Sequence, residues 1–149
     1  MEYLVRSMQP ADVAACAVIE TSAGDPWSLE QIAEELANQQ NGGASRLFVA
    51  EGNGQVIGLA AWQLAAGEAS LYTLTVSPTA RRCGVGRRLL QDSLTALQAE
   101  GALCAFLEVR AGNAAAIALY EQLGFAPAGL RKRFYQNPTE DALVMNCEL

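Results

Sequence analysis

The chain has 149 residues, of which 51% are hydrophobic and 17% charged, so it can bury a core of its own and has the composition of an ordinary globular protein. Its net charge of −6 argues against bulk nucleic-acid binding and suits a cationic substrate. It contains no histidine, which removes Ser-His-Asp and Cys-His catalysis and the common zinc sites and leaves a carboxylate, a tyrosine, a thiolate or water as the general base.

Tyr3–Arg6 reads as a first strand. Pro10 opens a helix at its first position, and Val13, Ala14, Ala17, Val18 and Thr21 recur along it at helical spacing. Gly24-Asp25-Pro26-Trp27 breaks that pattern. Ser28 caps a second helix, and Gln31 completes a capping box. Leu29, Ile32, Ala33 and Leu36 form its apolar stripe, and Asn41-Gly42-Gly43 ends it. Leu47–Ala50 and Val56–Trp62 make a hairpin across the Glu51–Gly54 turn, and Ala69–Val76 continues the meander up to Ser77-Pro78. Val85, Leu89, Leu90, Ser93, Leu94 and Leu97 mark a helix that runs to about Gly101. Leu103–Val109 is a strand. Asn113 caps a helix carrying Ala116, Ile117, Leu119, Tyr120 and Leu123, with Gly124 just past its end. Phe125–Leu130 and Ala142–Cys147 are the last strands. The order β-α-α-β-β-β-α-β-α-β-β predicts an α/β (α+β) fold in one domain spanning residues 1–149. Its central sheet is mixed and mostly antiparallel, with helices on both faces.

No apolar run approaches about 18 residues, so no membrane span is expected. Met1–Arg6 lacks the regions of a signal peptide, and a cytoplasmic location is expected. Cys16, Cys83, Cys104 and Cys147 are widely spaced and read as free thiols of a reducing compartment. Cys83 lies among arginines near a helix start, where a thiol can be reactive, although an incidental loop position explains it as well.

The stretch Arg81-Arg82-Cys83-Gly84-Val85-Gly86-Arg87-Arg88 is the first functional signal. Two glycines let backbone N–H groups crowd together, and the helix that follows starts with unpaired N–H groups and a positive dipole end. Together they make an anion cradle suited to a phosphate or pyrophosphate. The dinucleotide fingerprint needs a third glycine where Leu89 stands, and the P-loop needs Gly-Lys-Ser/Thr where Gly86 is followed by Arg87. Neither pattern fits. The stretch instead resembles the Arg/Gln-x-x-Gly-x-Gly/Ala loop of the GNAT superfamily of N-acetyltransferases, which holds the pyrophosphate of acetyl-CoA.

The segment Leu107 to Phe125 is more specific. It meets every fixed position of Leu-Glu-Val-Arg-x-x-Asn-x-x-Ala-x-x-Leu-Tyr-x-x-x-Gly-Phe, the pattern of the RimI-type enzymes in that superfamily. Those bacterial enzymes acetylate the N-terminal alanine of a small-subunit ribosomal protein. Asp25-Pro26-Trp27-Ser28 and Glu140-Asp141-Ala142 are similar to the same enzymes. The resemblance implies acetyl-CoA as co-substrate, no metal, a protein N-terminus as partner, no nucleic acid, no membrane, and a monomer or weak dimer.

Moving an acetyl group from a thioester to an amine requires a neutral amine, a polarised carbonyl, close approach and a proton for the departing thiolate. By the resemblance, Glu108 is the general base, acting through water, and Tyr120 is the general acid. Read alone, Glu108 is a solvated carboxylate at a strand end and Tyr120 a core aromatic. Cys104 and Phe106 share the side of Glu108 by alternation, which predicts apolar, desolvating company for it. An α-amino group ionises at about 7.7–8.0 against about 10.4 for lysine, so a modest base suffices for an N-terminus. The resemblance further implies that backbone groups of Leu74, Thr75 and Val76 bind pantetheine and polarise the carbonyl, and that Asn113 contacts the pantetheine arm besides capping its helix. It assigns the pyrophosphate to Arg82, Cys83, Gly84, Val85, Gly86 and Arg87, and Tyr135 is the candidate for lining the peptide slot. Arg81 stands where glutamine is more usual, and Phe134-Tyr135, preceded by Arg131 to Arg133, replaces a Tyr-Tyr pair. Glu20 and Asp25 could face a basic peptide but read as solvated surface. Alternatives open at this level are a GNAT enzyme acting on another N-terminus, a lysine or a small amine, and a silent acyl-CoA-binding sensor.

Overall fold

The computed structural model describes residues 2–149. Its strands are β1 (Tyr3–Ser7), β2 (Ser45–Gly52), β3 (Gln55–Ala65), β4 (Glu68–Val76), β5 (Cys104–Arg110), β6 (Ala126–Tyr135) and β7 (Glu140–Glu148). Its helices are α1 (Val13–Glu20), α2 (Leu29–Gln40), α3 (Val85–Ala99) and α4 (Ala114–Gln122), with short 3₁₀ turns at Pro10–Asp12 and Pro78–Ala80. The strands form one sheet in the order β1-β2-β3-β4-β5-β7-β6. Every pairing is antiparallel except that of β4 with β5, so the mixed, mostly antiparallel sheet expected from the element order is what forms.

Helices cover both faces. Leu47, Val49, Leu59 and Ala61 meet α1 and α2 on one side through Cys16, Ile19, Ile32 and Leu36. Phe48, Trp62, Ala105 and Leu107 meet α3 and α4 on the other through Leu89, Leu90, Leu97 and Tyr120. Alternation along each strand makes this two-sided burial possible. The buried Trp62 donates its Nε1–H to Ser93 Oγ at 3.0 Å, so its polar atom is satisfied inside the core. Gly58 lets α3 lie close, since a Cβ there would stand 2.9 Å from Leu89 Cδ1 and 3.2 Å from the Thr75 carbonyl oxygen.

The predicted caps form. Gln31 N–H donates to Ser28 Oγ at 3.1 Å, and Ser28 N–H donates to Gln31 Oε1 at 2.7 Å. Ala116 N–H donates to Asn113 Oδ1 at 3.2 Å. The stripe read on α1 is corrected. Its buried face is Val13, Cys16, Ile19 and Glu20, while Val18 is 70% exposed. The helix turns a glutamate inward, and polarity had placed that position outside.

Arg6 reads as one end of a predicted strand, yet it anchors the first turn. Its guanidinium donates to both Asp12 carboxylate oxygens at 2.7 and 3.0 Å and to Glu51 Oε1 at 2.8 Å. Asp12 also accepts from Gln9 N–H at 2.7 Å and is buried. Asp12→Asn is expected to cost about 1–3 kcal/mol, read as a lower urea midpoint. The hydrogen bonds from Arg6 hold the Asp12 carboxyl below its usual 3.8. Because the folded value is the lower one, this contribution is complete above about pH 4 and is lost as pH falls through the folded value. The stability gap between the wild type and Asp12→Asn should therefore close in acid.

Candidate active site

β4 and β5 run parallel and pair only from Glu68 with Cys104 to Leu71 with Leu107. There β4 bulges: Trp62 of β3 faces Leu71 and Ala61 faces Thr73, so Tyr72 has no partner on β3. A bulge bends a strand and increases its twist. Beyond it β4 continues against β3, while β5 runs on to Arg110 against β7. The strands diverge, and a cleft of about 220 Å³ opens between them. Thr73, Leu74, Thr75, Glu108, Tyr120 and Tyr135 all line it.

The base and acid candidates reach this cleft from opposite faces of the sheet. Leu107 and Val109 pack with the α3/α4 core, so alternation turns Glu108 and Arg110 toward the α1/α2 side. Glu108 Oε2 is buried and accepts no hydrogen bond among the described residues. Arg131 Nε stands 3.3 Å away without being aimed at it, an ion pair exposed enough to contribute little. The purely apolar company expected for Glu108 is thus corrected, because the bulged edge strand β6 brings an arginine over it. Tyr120, 8% exposed, packs edge-on against Phe125 with ring centroids 6.0 Å apart. Burial pushes its hydroxyl up to about 12, so it keeps its proton at neutral pH. Tyr135 lies across from it, stacked under the Arg110 guanidinium at 4.6 Å, and burial pushes its hydroxyl up to about 12 as well.

The 3₁₀ turn leads from β4 into the arginine-glycine loop. Gly84 caps α3 with φ +77°, and Arg82 sits at φ +65°. Among the described residues no side chain caps this helix, so the N–H groups of Val85, Gly86 and Arg87 have no acceptor within it. Arg87 donates to Gln122 Oε1 at 2.9 Å and Arg88 to Asp92 at 2.8 Å. Arg81 donates to the Val76 carbonyl at 3.3 Å and to Ser22 Oγ at 3.1 Å. The loop's capacity for an anion therefore rests on its backbone and on the exposed Arg82. Cys83 is exposed, its Sγ 3.7 Å from the Arg81 carbonyl, and all four cysteines are free. Asn113 spends Oδ1 on its helix cap while lining the cleft, which leaves its amide N–H groups available there.

Two features escape sequence reasoning. Glu20 is fully buried, not solvated, and accepts from Thr73 Oγ1 at 2.8 Å and Thr75 Oγ1 at 2.6 Å. Asp25 is exposed, as expected, but it is paired. Arg110 grips both its carboxylate oxygens, at 2.9 and 3.1 Å. The same guanidinium donates to the carbonyls of Gln136 and Pro138 at 2.8 and 2.9 Å and to Glu140 at 3.3 Å. Arg110 thereby ties the loop after α1 to the β6–β7 turn across the cleft mouth. The available signal was its place two residues after Glu108, on the same face of β5.

The parting of β4 and β5 thus leaves a carboxylate and a phenol facing one opening, and β4 leads on to the glycine-capped start of α3. The sequence profile of the acetyltransferase (GNAT) family matches residues 14–125, and the chain belongs to that family. It is 38% identical over 144 residues to the [ribosomal protein bS18]-alanine N-acetyltransferase of Escherichia coli K12, covering 95% of this chain and 94% of that one. It is 33% identical to the N-alpha-acetyltransferase RimI of Mycobacterium tuberculosis, covering 95% and 89%. The crystal structure of the ribosomal-protein-S18-alanine N-acetyltransferase from Escherichia coli superposes with a TM-score of 0.89 at 35% identity, covering 99% of this chain and 94% of that one.

Proposed function

We propose that this acetyltransferase moves the acetyl group of acetyl-CoA onto the N-terminal alanine of a small-subunit ribosomal protein, in the cytoplasm. The observation that carries the chemistry is the convergence of Glu108 and Tyr120 on one cleft at the point where β4 and β5 part. The names of the similar enzymes support the acceptor.

The residues present fit acetyl-CoA. The uncapped start of α3 with its left-handed Gly84 suits a pyrophosphate, and β4 beyond Leu71 has an edge that β5 does not pair. Leu74, Thr75 and Val76 would hold the pantetheine amides, with Asn113 also lining the cleft. When bound, the thioester supplies an activated acetyl group. Glu108, whose Oε2 is buried and without a donor, would take a proton from the attacking amine through water. Tyr120, protonated at neutral pH, gives one to the leaving sulfur. A groove of about 590 Å³ shares Tyr72, Glu108 and Tyr135 with the cleft and runs past Phe106, Phe134 and Val144 over the half of the sheet that α1 and α2 leave open. It offers the acceptor peptide a path, lined in part by Tyr135.

Thiol release from acetyl-CoA with a panel of acceptors tests the reading. Turnover is expected with a basic peptide bearing a free N-terminal alanine. Turnover confined to the same peptide N-blocked but containing lysine, or to polyamines, would move the acceptor elsewhere and leave the fold untouched. Binding of CoA without any turnover would favour a silent acyl-CoA sensor.

A further inference from the structure

Glu20, the last residue of α1, is fully buried. Keeping a carboxylate away from water is costly, and what holds this one is a pair of hydroxyls. Those hydroxyls belong to Thr73 and Thr75, which both line the cleft between β4 and β5. A threonine hydroxyl has one proton and two lone pairs. When the proton is given inward to Glu20, only lone pairs remain to face outward. With both protons so committed, Thr73 Oγ1 and Thr75 Oγ1, 3.3 Å apart, stand as two acceptors side by side. Thr73 faces Ala61 and Thr75 faces Leu59, both in the α1/α2 core, so the pair lies on the same face of the sheet as Glu108.

We propose that Thr73 and Thr75 form the subsite that receives the N–H groups of the acceptor's primary amine, and that Glu20 is the positioning residue that keeps their lone pairs turned toward it. The proposal rests on the acetyl-transfer reading and deepens it. A neutral primary amine has two N–H donors and one lone pair. Two fixed acceptors on one wall take the donors and leave the lone pair free to attack. A secondary amine, with a single N–H, can satisfy only one of them.

Glu20→Gln tests this with little change of shape. The amide NH₂ donates, so one threonine must accept from it, and its own proton then goes into the cleft or to the other threonine; either way the pair offers one lone pair fewer. The expected result is about a tenfold weaker Kd, by calorimetry, for a basic peptide with a free N-terminal alanine, with a similar loss in kcat/KM. Acetyl-CoA affinity and Tm should stay near wild type. The preference for alanine over N-methylalanine at the terminus should also narrow, which a purely structural role would not produce. An unchanged peptide Kd and preference would overturn the proposal. So would parallel losses of peptide affinity, acetyl-CoA affinity and stability. Should Glu20→Gln not fold, Thr73→Val should show the same loss of peptide affinity with acetyl-CoA affinity unchanged, at a cost in Tm because Glu20 loses a donor, and Thr73→Ser, which keeps the hydroxyl, should recover most of both losses. Equal behaviour of those two variants would also overturn it. Failure of the wild type to acetylate this peptide would sink the function reading separately, because the calorimetric comparison needs no turnover.

Discussion

Glu108→Gln is expected to lower kcat by about 10²- to 10³-fold while the Kd for acetyl-CoA changes less than about twofold. The argument is local. Glu108 Oε2 is buried at the cleft with no hydrogen bond to lose, so the amide gives up only the ion pair with Arg131. Its ion partner Arg131 is 60% exposed and can turn to water, so folding should tolerate the change. What disappears is an oxygen able to take a proton. Steady-state kinetics paired with direct acetyl-CoA titration would separate the two effects. A loss of cofactor affinity as large as the loss of kcat would contradict the assignment of Glu108 as base.

Gly84→Val should do the reverse and weaken acetyl-CoA binding by about 10²-fold, with a smaller effect on the turnover of whatever complex still forms. Space is not the cause, since a Cβ at Gly84 would meet only the Tyr3 hydroxyl oxygen, at an ordinary 3.7 Å. The cause is the backbone. Gly84 sits at φ +77°, a conformation that is a genuine outlier for a β-branched residue and costs about 1–3 kcal/mol. To escape it the loop must rotate the first N–H groups of α3 away from a shared focus. Gly84→Asn provides the control, because asparagine tolerates the left-handed region. It should keep affinity within a few-fold of wild type. If valine and asparagine bind acetyl-CoA equally well, the cradle does not depend on this conformation.

The glycine at the start of α3 and the caps of α2 and α4 were legible because each is written in consecutive residues. Ser28 with Gln31, Asn113 with Ala116 and Gly84 before Val85 all act within one turn. The strands were legible from runs of apolar residues, although β6 reaches Tyr135, five residues beyond the predicted Leu130. Glu20 was misread because charge in a sequence reads as exposure. Its partners lie 53 and 55 residues away, and no local pattern announces them. Arg110 posed the same difficulty, since its carboxylate partner Asp25 lies 85 residues away. Arg131 over Glu108 depends on the register shift between Pro127 and Gly129, which puts Arg131 on the face of β6 that Glu108 shares. Contacts made across the chain need the fold first.

The bulge at Tyr72 has a second effect, which follows from parity. Side chains on a strand alternate, so one surplus residue exchanges the two faces for everything that follows it. Leu71 packs toward α3 and α4; in an unbroken strand Thr73 and Thr75 would follow it there, into an apolar core. The surplus residue sends them to the other face, where Glu20 waits, and gives Leu74 and Val76 to the core in their place. Deleting Tyr72 would bring β4 back alongside β5 and leave Thr73 and Thr75 facing Glu20. Forcing Tyr72 into the ladder would instead swap a polar wall for an apolar one. Absorbing one residue as a bulge thus widens the opening while keeping its lining polar, so in this protein a change of register at Tyr72 matters more than any substitution there.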